Sequence, residues 1–110
     1  MNVRLHLVAA PSLEFDKLVA MLPLPGEDLV RQGVADLGRG LETVPGLLVA
    51  IGAPRLRRLG FSLPETLPEF PEHRLYALLS VSDGDAAHSR YNALIRRLVS
   101  FERATECGAR

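Results

Sequence analysis

Apolar and polar residues alternate at the start of the chain, with Leu5, Leu7 and Ala9 on one face and Arg4, His6 and Val8 on the other. This pattern predicts a first strand over Val3 to Ala10, stopped by Pro11. Ser12 suits a helix N-cap. Leu13, Phe15, Leu18, Val19 and Leu22 then predict a short helix that ends before Pro23-Leu24-Pro25-Gly26. A second helical stretch is expected from about Glu27, because Val30, Val34, Leu37, Leu41 and Val44 recur at alternating spacings of four and three. Gly33, Gly38 and Gly40 each weaken it by roughly 1 kcal/mol relative to alanine, so packing rather than propensity must hold it.

Gly46 opens the unbroken apolar run Leu47-Leu48-Val49-Ala50-Ile51-Gly52, which reads as a second strand needing cover on both faces. Pro54 to Leu59 predicts one short turn of helix, with proline at its start and Gly60 just past its end. Phe61 to Arg74 carries Pro64, Pro68 and Pro71 among Glu65, Glu69 and Glu72, and reads as an extended surface connector. Leu75 to Val81 is expected to be the third strand. Ser82 and Asp85 are spaced as a capping box. The helix that follows shows Ala87, Tyr91, Leu94, Ile95 and Leu98 on one face and Arg90, Arg96 and Arg97 on the other. Phe101 to Cys107 alternates like a final strand. Two strand-helix-strand units in series predict one α+β domain over residues 1–110. Its layout is ferredoxin-like, βαββαβ, an antiparallel sheet with helices on one face.

Composition narrows the functional classes. The chain has 110 residues, with 13 Lys+Arg against 13 Asp+Glu, so it lacks the basic excess of a nucleic-acid-binding surface. Balanced charge also tolerates self-association. The single cysteine, Cys107, excludes an internal disulfide and any multi-cysteine metal site. No apolar run approaches the ~20 residues that span a bilayer, and no cleavable leader pattern opens the chain, so cytoplasmic localisation is the expectation.

From Leu47 onward the chain resembles a known family. Leu47-Leu48-Val49-Ala50-Ile51-Gly52, then Leu56-Arg57-Arg58-Leu59-Gly60, then Leu67-Pro68-Glu69-Phe70-Pro71 is similar to the N-terminal half of dye-decolorizing (Dyp-type) haem peroxidases, relatives of the dimeric α/β-barrel superfamily. The resemblance implies a half-length relative. In that family the distal Gly-x-x-Asp-Gly loop follows the first half, and the haem-ligating His and distal Arg lie in the second. The chain stops at Arg110, so no catalytic residue is carried over and no cofactor is expected on this chain alone.

Four residues are candidate ligand contacts: Arg4 and His6 on one face of the first strand, Tyr76 on the third, and His88 on the long helix. In haem-degrading α/β barrels a helix histidine can ligate iron beside an Asn and a Trp. This sequence has no Trp, and a boundary histidine is the commoner reading. Asp83 and Asp85 fit a helix start better than a cation site. Arg55, Arg57 and Arg58 form a cationic cluster that the acidic connector can neutralise. No phosphate loop, Cys/His metal pattern or activated serine is present. Because the second strand is apolar on both faces, Leu47, Val49 and Ile51 are candidate interface residues. The expected function is a non-catalytic subunit that forms a homodimer or docks a partner protein on its open sheet face, away from nucleic acid and membrane. The alternative is a small dimeric α/β-barrel enzyme, of haem-dependent oxidoreductase or monooxygenase type, or a binding protein for haem or a small hydrophobic compound.

Overall fold

The computed structural model describes residues 24–108, and every regular element among them is helical. In chain order these are α1 (Glu27–Gly38), α2 (Val44–Ile51), α3 (Ala53–Arg58), α4 (Pro71–Asp83) and α5 (Ala87–Gly108), with a 3₁₀ turn over Gly84–Ala86 between the last two. The expected ferredoxin-like α+β layout is therefore overturned: there is no strand or sheet among the described residues. A Dyp-type or dimeric α/β-barrel relationship goes with it, since both are built on that sheet. The strand expected over Val3 to Ala10 and the helix expected after Ser12 lie outside the described residues.

The α1–α2 corner shows how the sequence makes helices here. Gly26, at φ 74°, lets the chain enter α1 against the backbone of α5, where a Cβ would approach the Arg97 carbonyl oxygen to 2.7 Å. Glu27 accepts from the Leu24 amide at 2.9 Å and from Arg31 Nε at 2.7 Å, which ties the first turn. The helix ends in a Schellman motif: the Gly40 amide donates to the Leu37 carbonyl at 3.0 Å and the Leu41 amide to the Asp36 carbonyl at 2.9 Å. Gly40 takes the left-handed conformation this requires, at φ 75°. The periodicity through Leu41 and Val44 thus spans two helices, not one. Leu41 is largely exposed in the turn and Val44 begins α2.

Thr43 caps α2. Its hydroxyl accepts from the Gly46 amide at 3.1 Å and donates to the Asp36 carboxylate at 2.5 Å, while Gln32 donates to the other oxygen of Asp36 at 2.9 Å. Both acceptor oxygens of a buried carboxylate are thereby satisfied, and the corner is fixed by side chains from both helices. The Asp36 carboxyl is held below its ordinary value, first by the Thr43 hydrogen bond and then by that of Gln32.

Helix α2 replaces the expected second strand. An apolar run of this length fits a buried helix as well as a buried strand. The local signals that decide are the Thr43 cap, Pro45 in the first turn and Gly52 at the end. All five residues Gly46 to Ala50 are buried, enclosed by α1, α4 and α5. The third expected strand is the body of α4, which starts at Pro71, so the surface connector is shorter than expected, Phe61 to Phe70. The final expected strand is the C-terminal third of α5. Phe101 and Glu102 are neighbours and both buried, which strand alternation forbids and a helix allows. The short helix before Gly60 and the long helix with its apolar stripe are found where expected, although the stripe buries Ala87, Leu94, Leu98 and Phe101. Ser82 does not cap α5: its hydroxyl donates back to the Leu79 carbonyl at 3.4 Å.

Helices α1 and α2 approach closely at Gly33. A Cβ there would overlap the Pro45 carbonyl oxygen and the Val49 side chain. Gly33→Ala is expected to lower the unfolding free energy by about 2 kcal/mol through overpacking, measured by chemical denaturation. Gly38→Ala, where a Cβ meets nothing within 4 Å, is the matched control and is expected to be neutral or stabilising. Thr43→Ala is expected to cost about 1 kcal/mol from the lost cap. Because Asp36 titrates lower in the fold than when unfolded, its contribution is present above the unfolded value and is lost as pH falls through the folded one. The stability gap between wild type and Asp36→Asn is therefore expected to close on acidification, read from unfolding curves across the acid range.

Candidate functional site

Helix α4 lies between α2 and α5 and borders a shallow cleft on each flank. Toward α5, Glu72, His73, Tyr76 and Tyr91 line a cleft of about 320 Å³. The Tyr76 and Tyr91 ring centroids are 5.8 Å apart with their planes inclined at 53°, and the His88 ring lies 6.5 Å from Tyr76 at 58°. Burial, then the charge of Glu72, raises the Tyr91 hydroxyl above its ordinary value. Toward α2, Leu47, Ala77, Leu78 and Val81 form an apolar groove of about 310 Å³, with Glu42 and Arg74 also lining it. Arg74 Nη1 and Glu42 pair across 2.9 Å. Val81 is 87% exposed, the most exposed of the large apolar side chains among the described residues.

A third cleft, of about 300 Å³, lies between α3 and α5. Its walls include Ile51, Ile95, Leu98 and Val99, and its polar groups are Arg55, Arg58 and Glu102. Arg55 bonds Glu106 at 2.6 Å and stands 3.6 Å from Glu102, whose side chain is 6% exposed. Gly52 makes room for this carboxylate, since a Cβ there would lie 2.9 Å from Glu102 Oε2. Burial pushes the Glu102 carboxyl up, opposed by the charges of Arg55 and then Arg58. A buried acid with one cation at this distance is a weakly compensated charge.

The structure brings two of the four candidate ligand contacts together. Tyr76 and His88 meet across α4 and α5, and Arg4 and His6 lie outside the described residues. His88 is exposed and engages Asn92 one turn on, with 3.2 Å between His88 Nε2 and Asn92 Nδ2. Leu47 and Val49 are buried within the core, and Ile51 is half-buried at the edge of the third cleft. Arg55 finds its partners on α5 rather than in the acidic connector, whereas Arg57 donates to the Pro64 carbonyl of that connector at 2.5 Å. Asp83 pairs with Arg90 at 3.7 Å. Among the described residues no group of three His, Cys, Asp or Glu is placed to hold a metal ion. None of the described helices is long and apolar enough to cross a membrane.

Three residues that shape these clefts went unmarked as functional in the sequence. Tyr91 reads there as core stripe and Glu102 as part of a strand. Val81 reads as a strand terminus. Pairing of Arg55 with Glu106 spans 51 residues and leaves no local signal. Comparison of the chain with family models, curated proteins and solved structures returns no match.

Glu102 titrates higher in the fold than when unfolded, so its ionised form opposes folding. Stability from this group is full below the unfolded value and declines as pH rises through the folded one. Glu102→Gln is therefore expected to gain stability relative to wild type as pH rises from acid to neutral, measured as the difference between thermal midpoints. A constant difference across that range would show that the carboxylate is well compensated.

Proposed function

We propose that the protein acts by association through the α2–α4 face, as a small helical module that pairs with a second copy of itself. The observation that carries this reading is the groove of Leu47, Ala77, Leu78 and Val81, where Val81, 87% exposed, adjoins the exposed Leu78 and Ala77 to make one apolar patch on the helix that buries Leu75 and Leu79. Helix α4 is thus apolar toward the core and, in part, toward solvent.

Two features favour a second copy over an unlike partner. The chain has no net charge, so two copies meet without long-range repulsion. The groove also carries one cation and one anion, Arg74 and Glu42, side by side. In a two-fold contact these charges can pair across the interface as they do within one chain, which makes the patch self-complementary. This reading keeps the expectation of a homodimer but moves its surface from a sheet face to a helix face.

Sedimentation velocity at high micromolar concentration is expected to show a dimer for wild type and a monomer for Val81→Asp, with unchanged helical circular dichroism. Val81 is exposed, so the substitution leaves the core intact. A monomeric wild type would overturn self-association and leave an unlike partner as the occupant of the groove.

A further inference from the structure

The cleft between α4 and α5 gathers the chemistry of a cation site, with no Arg or Lys among its lining residues. The chain has two tyrosines and no tryptophan, and both tyrosines line this cleft. Tyr76 is 39% exposed, so its ring presents free surface. Aromatic faces carry the negative lobe of the ring quadrupole and attract a cation placed within about 6 Å of the centroid. The two rings pack against each other, with centroids 5.8 Å apart and planes inclined at 53°, so a small cation in the cleft lies beside the pair rather than between the rings.

Of the two other lining groups, Glu72 and His73, Glu72 gives the cleft its sign. Glu72 lies one turn before Tyr76 on α4, and its charge is felt at the Tyr91 hydroxyl. None of the cleft's lining residues is Arg or Lys, and no ion pair among the described residues engages the Glu72 carboxylate. A negative, aromatic-walled cleft open to solvent selects among cations by their hydration. Primary ammonium groups give up hydrogen bonds to water on entering it. A quaternary ammonium has none to lose, and its methyl groups pack on the ring faces.

We propose that the α4–α5 cleft binds a trimethylammonium group, held against Tyr76 and Tyr91 with Glu72 as its counter-ion. The site lies on the α5 side of α4 and is independent of the association proposed for the α2 side. It also gives Tyr76, a candidate ligand contact in the sequence, a role in binding.

The chain's composition supplies the assay, because with no tryptophan present, excitation at a wavelength phenylalanine does not absorb reports these two tyrosines alone. Titration of the full chain with choline, at constant ionic strength, is expected to change tyrosine fluorescence saturably. The uncharged isostere 3,3-dimethylbutan-1-ol is expected to bind about tenfold more weakly, as loss of a desolvated cation–π contact implies. Glu72→Gln is expected to weaken choline by a similar factor. Tyr76→Leu is expected to abolish saturation while Tyr91 still reports. Glu72 and Tyr76 are exposed, so both variants keep the core. No saturable change in wild type, equal binding of the neutral isostere, or a Glu72→Gln variant that binds choline like wild type would each overturn the proposal.

Discussion

A helix that is apolar all round has to be enclosed, and α2 is such a helix. Its sequence, Val44-Pro45-Gly46-Leu47-Leu48-Val49-Ala50-Ile51, contains no polar side chain, so no face of it can be turned to water without cost. The other helices are arranged to meet that demand. α1 covers it at the Gly33 approach, α4 brings Leu75 and Leu79, and α5 brings Leu94 and Leu98. Burying the backbone of α2 is tolerable because a helix satisfies its own amides and carbonyls, apart from the ends. At the start Thr43 meets that need, and at the finish the Gly52 amide donates to Leu48.

The surface clefts follow from this enclosure. α4 is committed to α2 on one side and α5 on the other, and it has too many apolar residues for the two contacts. Leu78 and Val81 are left outside, and Tyr76 stands at the seam with α5. The connector is held down as well, since the Phe61 ring meets Phe101 edge-on at 5.6 Å and Leu63 and Leu67 pack against the core. Of the six large apolar side chains exposed among the described residues, three, Tyr76, Leu78 and Val81, lie on α4.

Where the sequence was legible, the signal was long and periodic or sharply punctuated. The stripe of Ala87, Leu94 and Leu98 is amphipathic over several turns, and Pro54 with Gly60 brackets α3. Where it misled, the segment was short and apolar, and hydrophobicity alone does not separate a buried strand from a buried helix. Local chemistry held the answer in two places: Thr43-Val44-Pro45 is a helix start, and Pro71-Glu72 is another, with proline in the first turn and an acid near the positive end of the dipole. No breaker separates Leu98 from Cys107, so nothing stops α5 where a strand was expected. The clefts were less legible still, because Tyr76 with Tyr91 and Arg55 with Glu106 come together only through packing between helices.

Gly33 acts as a key as well as a contact. Its missing side chain is what lets the Pro45 backbone and Val49 fit this closely against α1. Its neighbours one turn away on the same side of the helix are Val30 and Leu37, both buried and both bulky. Sliding α2 along α1 by a turn would bring one of those side chains onto the proline carbonyl. The crossing therefore excludes its own misaligned versions, and a notch one residue wide sets the register from which α4 and α5 take their places.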